Sequence, residues 1–539
     1  MKTKKILILI ILLCVLVGCK TNGINSGGEK THNPTHNPEV FPTDSYVTRI
    51  TDDRYNDKNT IVWVFDALVL SSISLDRLYA FNDALLAKGA DFILEIVALE
   101  SYRQLDYLSD IDATGIHKEN IIIYNQNMHY FNNLKTFIDN GNQADIIFTG
   151  VTHANLLGIN DSYMLAYQND LLLPLDDILP DTIKNAFSSN YWETLKINSN
   201  IYGFRMDPIY AYSSLLLVKN EPIPYGITRE LITLLPLLDQ MPEEFPLSLP
   251  NDITTISEHL GYRLIAASIA IDNSGRSFNL FEDQSFLTYI SDAFSLFEKG
   301  YIYSETNSSL YFTNYPEPSV IVAGRGNSND IIDMSKWMPL FTTHIFDDDL
   351  YLDTARSAIG IYNQSQYPQE ALTLFSWLLS DRELADLLVF GVLDVDFQVE
   401  NGIVVNSGFN MLPLLTGLYS FTSPTDDDVI KKGNALYEHN ERASISNITG
   451  FRFNSKEYEE TLYKLNELIN IAIYSDIIET DSETIFEVKD TPHSFINGGD
   501  SDYIKTLTWL NEEMKNAGLI NLLDEISRQY LVWNEIVGR

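Results

Sequence analysis

The residues of this 539-residue chain that could do chemistry are polar groups placed where apolar, strand-like runs end. Asp66 closes 61-IVWVF-65, with Trp63 and Phe65 just before it. Thr149-Gly150 closes 144-ADIIFTG-150, with Thr152 just beyond. Arg205 and Asp207 follow a Tyr-Gly turn, with Tyr210 and Tyr212 after them. Arg325 and Asn327 follow a run at 318–323, and Trp337 follows those. Carboxylate, guanidinium, amide and hydroxyl groups supply directed hydrogen bonds, and aromatic rings supply flat apolar faces. That chemistry is recognition of a small polar molecule. Trp63 and Phe65 alternate along one strand and are expected in a core, as are Trp192 and Trp377 in helix-like segments. Arg205 could equally form a surface ion pair of little energetic value.

Bond-breaking chemistry has no comparable signature. There is no Gly-x-Ser-x-Gly elbow and no HExxH, and the nine histidines are scattered. Gly324-Arg325-Gly326 lacks the third glycine of a dinucleotide loop. The acidic triplets Asp347–Asp349 and Asp426–Asp428 could hold calcium but lack EF-hand spacing, and a solvated loop is the simpler reading. Glycoside hydrolysis needs only two suitably spaced carboxylates, and seventy-four acidic residues leave that open.

The elements that must position these groups follow from periodicity. The run 61–65, the segment 74-SLDRLYAFNDALLAKG-89 and the run 92-FILEIVA-98 read as strand, helix and strand. Ser74 caps the helix and Gly89 ends it. Three elements in so few residues make a βαβ unit on a parallel sheet. Helices are expected at 130–140, 161–170, 367–379 and 381–390, and strands at 144–150, 214–219, 318–323 and 357–362. The last third reads as helical at 429–440, 456–474, 501–516 and 520–534. Two α/β lobes result, and ligands of such folds bind beyond strand carboxyl ends and between lobes.

The N-terminus has its own logic. Lys2, Lys4 and Lys5 precede the apolar run Ile6–Val17, which is too short to span a bilayer. The two cysteines, Cys14 and Cys19, both sit here. Leu16-Val17-Gly18-Cys19 resembles the bacterial lipobox, which implies cleavage of residues 1–18 and a lipid on Cys19. Residues 20–59 are polar and read as a flexible tether of roughly 35 Å root-mean-square span. His32 and His36, in two THNP repeats, could bind a metal but are more simply linker residues.

Thirty-six basic residues against seventy-four acidic ones give a net charge of −38. Loss of the three leading lysines makes it −38 − 3 = −41. That excludes nucleic acid and polyanions as natural partners. With no cysteine beyond Cys19, stability must come from a hydrophobic core.

Several stretches together resemble the extracellular solute-binding lipoproteins of bacterial ABC importers, of the carbohydrate type. They are the βαβ unit at 61–98, 144-ADIIFTG-150, 169-NDLLLPLDDILP-180, 191-YWETLKINSNIYGFRMDP-208, the helix pair 369–392 and the tail 515–534. Departures occur at Asn169-Asp170, at Asn198–Asn200 and at Phe204-Arg205, where the family carries glycines or a small residue and proline. The resemblance implies a two-lobed α/β clamp of the periplasmic-binding-protein type II, largely helical toward its C-terminus. Its first lobe would comprise 60–165 and 318–392, and its second 166–317 and 393–539. It implies a monomeric, non-enzymatic receptor without cofactor, held by Cys19 on the extracellular face of the cell membrane. Its ligand would be an oligosaccharide and its partner an ABC permease. Sugars present apolar ring faces and a rim of hydroxyls, so Asp66, Thr149, Arg205, Tyr210, Tyr212, Arg325, Asn327 and Trp337 are the expected contacts. A surface-attached carbohydrate-active enzyme and a peptide receptor of the same fold are the alternatives.

Overall fold

A computed structural model describes residues 47–67, 73–100, 130–150, 161–205, 211–219, 226–241, 246–250, 252–302, 319–326, 341–345, 351–352, 354–405, 421–424, 440, 442–479, 484–488, 496, 498–499 and 502–538. In chain order its principal strands are β1 (Val47–Ile50), β2 (Asn59–Asp66), β3 (Phe92–Leu99), β4 (Ile146–Phe148), β5 (Ala211–Lys219), β6 (Leu247–Ser248), β7 (Arg263–Ala266), β8 (Ile269–Ile271), β9 (Ser277–Asn279), β10 (Val320–Gly326), β11 (Phe341–Ile345), β12 (Tyr351–Leu352) and β13 (Ile359–Ile361). The longer helices are α1 (Leu75–Ala87), α2 (Ser162–Gln168), α3 (Ile253–His259), α4 (Gln284–Glu298), α5 (Pro368–Ser380), α6 (Arg382–Val389), α7 (Glu459–Tyr474), α8 (Tyr503–Asn516) and α9 (Leu519–Val537).

The first lobe is built on a sheet of order β1-β3-β2-β4-β13. Strands β2 and β3 run parallel, as do β2 and β4, whereas β1 and β13 pair antiparallel at the two edges. The parallel strands are buried along nearly their whole length, which is why they read as continuous apolar runs. Ser74 caps α1 by accepting the Arg77 amide hydrogen at 3.2 Å, and Gly89 beyond its end has φ 93°. Helices α5 and α6 cover the sheet, and Phe375 meets Trp63 and Phe204 edge-on at 5.0 and 4.6 Å between ring centres. Trp63 and Phe65 lie in the core as expected, Trp192 is buried, and Trp377 stacks on Phe92.

Residues 47–59, read as tether, are part of this lobe. The strand β1 forms because β3 buries Glu95 in mid-strand, and Arg49 of β1 answers it at 2.6 Å. A buried carboxylate without such a partner would be costly. Arg54 then binds Asp52 and Asp83 while lying over the Tyr79 ring at 4.1 Å.

The second lobe holds the mixed sheet β11-β5-β10-β6 and the meander β9-β8-β7. Its core is closed by α4, α7, α8 and α9. The meander and the hairpin pairing 475–479 with 484–488 are strands in a region the periodicity leaves unassigned or helical.

The lobe boundaries differ from those expected. Residues 166–204 pack in the first core: Leu172, Leu175, Tyr191 and Phe204 belong to it, Leu172 bridges to Tyr362 just after β13, and Phe204 bridges to Ile359 of β13 and meets Phe375 of α5. Residues 393–405 contribute Phe397 and Val404 to that core as well. Conversely β10 pairs with β5 and β6 in the second lobe. The chain therefore passes between cores between Phe204 and Leu216, between Val322 and Leu352, and between Ala443 and Ile448.

Each departure from the family pattern has a local cause. Asn198 and Ser199 have φ of 50° and 72°, and they link a hairpin in which Ile197 faces Asn200. Two consecutive left-handed residues are what a two-residue hairpin turn requires, and asparagine tolerates that conformation. Asp170 is likewise left-handed, with φ 56°. Phe204 is fully buried, so the large ring fills core where a small residue would leave a hole.

Candidate functional site

The carboxyl ends of β2 and β4 lie side by side, since Val64 pairs with Ile147. Asp66 and Thr149 each stand two residues beyond that pair. Asp66 is 3 % exposed. Its neighbour is Tyr130, whose hydroxyl donates to the Phe148 carbonyl at 2.7 Å. Burial first, and the negative charge of Asp66 second, push the Tyr130 hydroxyl pKa well above its ordinary value. Tyr130 therefore stays neutral, with its one hydrogen held by the Phe148 carbonyl. It heads the helical stretch 130–139 and was not among the expected contacts. A tyrosine at a helix start just before a strand was the only signal available.

Gly150 has φ 124°, and a Cβ there would touch Ser162 and the Tyr130 ring at 3.4 Å. The chain thus turns over Tyr130 where only glycine is unstrained. Thr149 has a different job from the one expected. Its hydroxyl accepts the Ala358 amide hydrogen at 2.9 Å and lies 3.3 Å from Ser162 Oγ, and its own amide donates to the Ala358 carbonyl at 3.0 Å. It is fully buried, tying β4 to the segment that returns from the second lobe.

Arg205 is half-buried just before the chain first passes to the second lobe, and its carbonyl accepts a hydrogen bond from the Tyr191 hydroxyl. Just before it, a Cβ on Gly203 would stand 2.7 Å from the Ile359 carbonyl, so glycine is needed for Phe204 and Ile359 to exchange backbone hydrogen bonds at 2.9 Å each.

On the second lobe, Tyr212 lies in β5 and Arg325 in β10. The two strands pair antiparallel with a register irregularity between Ala323 and Gly326, and Gly326 faces Ser213. Tyr212 and Arg325 are thus adjacent to one cross-strand pair. Tyr212 also pairs with Tyr351, one residue before Leu352, which packs in the first core. This end of the second sheet therefore abuts the junction. The end of β4 is tied to the chain returning from the second lobe, since the Ser162 hydroxyl donates to the Arg356 carbonyl and the Ala358 amide donates to the Thr149 hydroxyl. Tyr210, Asn327 and Trp337, the acidic triplets, and the segment containing Cys19, His32 and His36 lie outside the described residues.

Among the described residues no cluster of three or more histidine, cysteine or acidic side chains could hold a metal ion. Among them, too, no helix is long and apolar enough to cross a membrane.

No protein-family model matches the chain, and no curated protein matches it in sequence. Solved structures do. The N-glycan transport solute binding protein NgtS from Streptococcus pneumoniae matches with a TM-score of 0.59 at 15% identity, covering 89% of this chain and 99% of that one. The fold is that of a two-lobed solute-binding protein. The same Streptococcus pneumoniae protein in complex with Man1GlcNAc matches with a TM-score of 0.55 at 15% identity, over 88% of this chain and 99% of that one. In complex with Man5GlcNAc it matches at 0.53 and 17% identity, over 89% and 99%. This agrees with the two-lobed α/β fold of the type II solute-binding proteins that the sequence resemblance implied.

Proposed function

We propose that the protein is a lipid-anchored receptor on the extracellular face of the cell membrane. It captures an oligosaccharide between its lobes and delivers it to an ABC permease. The observation that carries this reading is the likeness, along nearly the whole chain, to a solute-binding protein that itself takes N-glycan fragments. The strand-end groups support it. The Asp66 carboxylate at the end of β2 is an acceptor of the kind a sugar hydroxyl donates to. Capture by lobe closure is a population shift driven by contacts that exist only when both edges meet the ligand. The anchor rests on the lipobox, and the permease on the fold.

The test is a thermal-shift screen of the chain from Lys20 onward against mono- and oligosaccharides, short peptides and calcium. A ligand bound only by the folded state adds RT ln(1 + [L]/Kd), about 2.7 kcal/mol at a hundredfold excess. Stabilisation by one saccharide class, recovered intact, supports the receptor. Stabilisation by peptides alone assigns a peptide receptor, and saccharide breakdown assigns an enzyme. For the anchor, Cys19→Ala should release the protein from membranes and abolish incorporation of labelled palmitate.

A further inference from the structure

The third passage between lobes, residues 443–453, is tied to both of them. Phe451, Arg452 and Phe453 lie outside any helix or strand, and their contacts send neighbouring side chains to different lobes. Phe451 and Phe453 enter the second core, and Phe451 meets Tyr530 and Trp533 of α9 at 5.4 and 5.6 Å between ring centres. Arg452 points the other way, into the first lobe. Its guanidinium pairs with the Asp161 carboxylate, donates to the Thr194 carbonyl at 3.1 Å and lies over the Tyr163 ring at 4.8 Å. Asp161 is held in turn, because its other oxygen accepts the Met164 amide hydrogen at 2.9 Å and caps α2. The Thr194 carbonyl also accepts from the Ala355 amide at 2.9 Å, which ties in the second passage.

A second arginine reaches the same strap from the other side. Arg263 of β7 donates to the Ile448 and Phe451 carbonyls at 2.8 and 2.9 Å and to the Thr354 hydroxyl at 2.6 Å. That hydroxyl accepts the Gly450 amide hydrogen at 2.9 Å. Gly450 has φ 89°, and a Cβ there would stand 3.0 Å from the Glu193 carbonyl, so strap and first lobe touch backbone to backbone.

We propose that Arg452 is a pin that fixes the strap to the first lobe and thereby sets the angle between the lobes. A buried guanidinium is stable only while its partners stay in place, and its planar fork fixes direction as well as distance. Opening or closing the lobes therefore turns about this point instead of sliding past it. This goes beyond the receptor reading and does not depend on the ligand's identity.

The test needs no ligand. The chain from Lys20 onward has no native cysteine, so spin labels can be placed at Asp91→Cys and Lys299→Cys, both exposed and one on each lobe. Pulsed dipolar spectroscopy then reads the interlobe distance distribution. Arg452→Met should broaden that distribution and shift its mean, and Arg452→Lys should restore part of the order through Asp161. Asp161→Asn, which keeps the cap acceptor, should broaden it less than Arg452→Met. As a control, Asn279→Ala breaks a 2.8 Å link to Asn511 inside the second lobe and should lower Tm without broadening. The proposal is overturned if folded Arg452→Met and Asp161→Asn both keep the wild-type distribution, or if the control broadens it equally.

Discussion

Acid should weaken the second lobe through one histidine. His259 ends α3 with 1 % of its surface exposed. Its Nε2 lies 2.8 Å from the Arg229 carbonyl, which can only accept, so Nε2 carries the hydrogen. Its Nδ1 then accepts from the Ser214 hydroxyl at 2.6 Å. The Arg229 guanidinium, donating to the His259 carbonyl at 3.0 Å, and the Tyr289 ring, 5.9 Å away, complete the surroundings. Burial dominates and pushes the imidazole down to about 4 from 6.5, and the Arg229 charge adds to that. The unfolded chain therefore takes up the proton first. Stability is full above 6.5 and falls as the pH drops from 6.5 to about 4. At about 1.4 kcal/mol per pH unit, this interval is worth up to about 3 kcal/mol. For a cooperative unit of 150–250 residues that is roughly 6–12 °C in Tm. Asp252, at the other end of α3, has its carboxyl raised by burial and works in the opposite direction, so the total pH dependence mixes several groups. The His259→Gln variant isolates the effect. Calorimetry of both proteins from pH 7 to 4 should show a lower Tm for the variant at pH 7 but a shallower fall toward pH 4. Parallel Tm curves for the two proteins would refute the assignment.

Other outcomes follow from particular contacts. Phe375→Ala removes the ring between Trp63 and Phe204 and should cost about 3–5 kcal/mol, read by chemical denaturation. Gly275→Ala should cost at least about 1 kcal/mol, because φ is 90° and the new Cβ would fall 2.1 Å from the Tyr530 hydroxyl; a Tm equal to wild type would show that α9 packs elsewhere. Asp66→Asn should weaken saccharide binding by the folded protein about 10–100-fold in calorimetric titration, the loss of one charge-assisted hydrogen bond. Unchanged affinity would remove Asp66 from the site.

Much of the first lobe was legible in the chain because its elements are local. The helix 75–87 has its cap, its period and its terminal glycine within sixteen residues of sequence, and the flanking strands are buried on both faces, so their composition alone marks them. The candidate site was legible only in outline. Strand ends pointed to Asp66, and geometry puts it beside Tyr130. Thr149 stands at a strand end in the same way, yet its hydroxyl is bound to an amide 209 residues away. Nothing near Thr149 in sequence announces that partner.

The sequence by itself determined a large acidic chain with ample core, a βαβ start, a helical end and a lipobox-like motif at residues 16–19. Each of these depends on composition or on short-range period. Tertiary structure decided the rest. It drew β1 out of the apparent tether, because Glu95 needed Arg49 across the sheet. It assigned 166–204 to the first lobe and β10 to the second, because strand pairing joins residues far apart in the chain. It turned Phe451-Arg452-Phe453 from an unremarked polar-apolar alternation into a link between two cores. Lobe membership and buried ion pairs depend on which distant surfaces meet, and a local pattern of residues does not encode that.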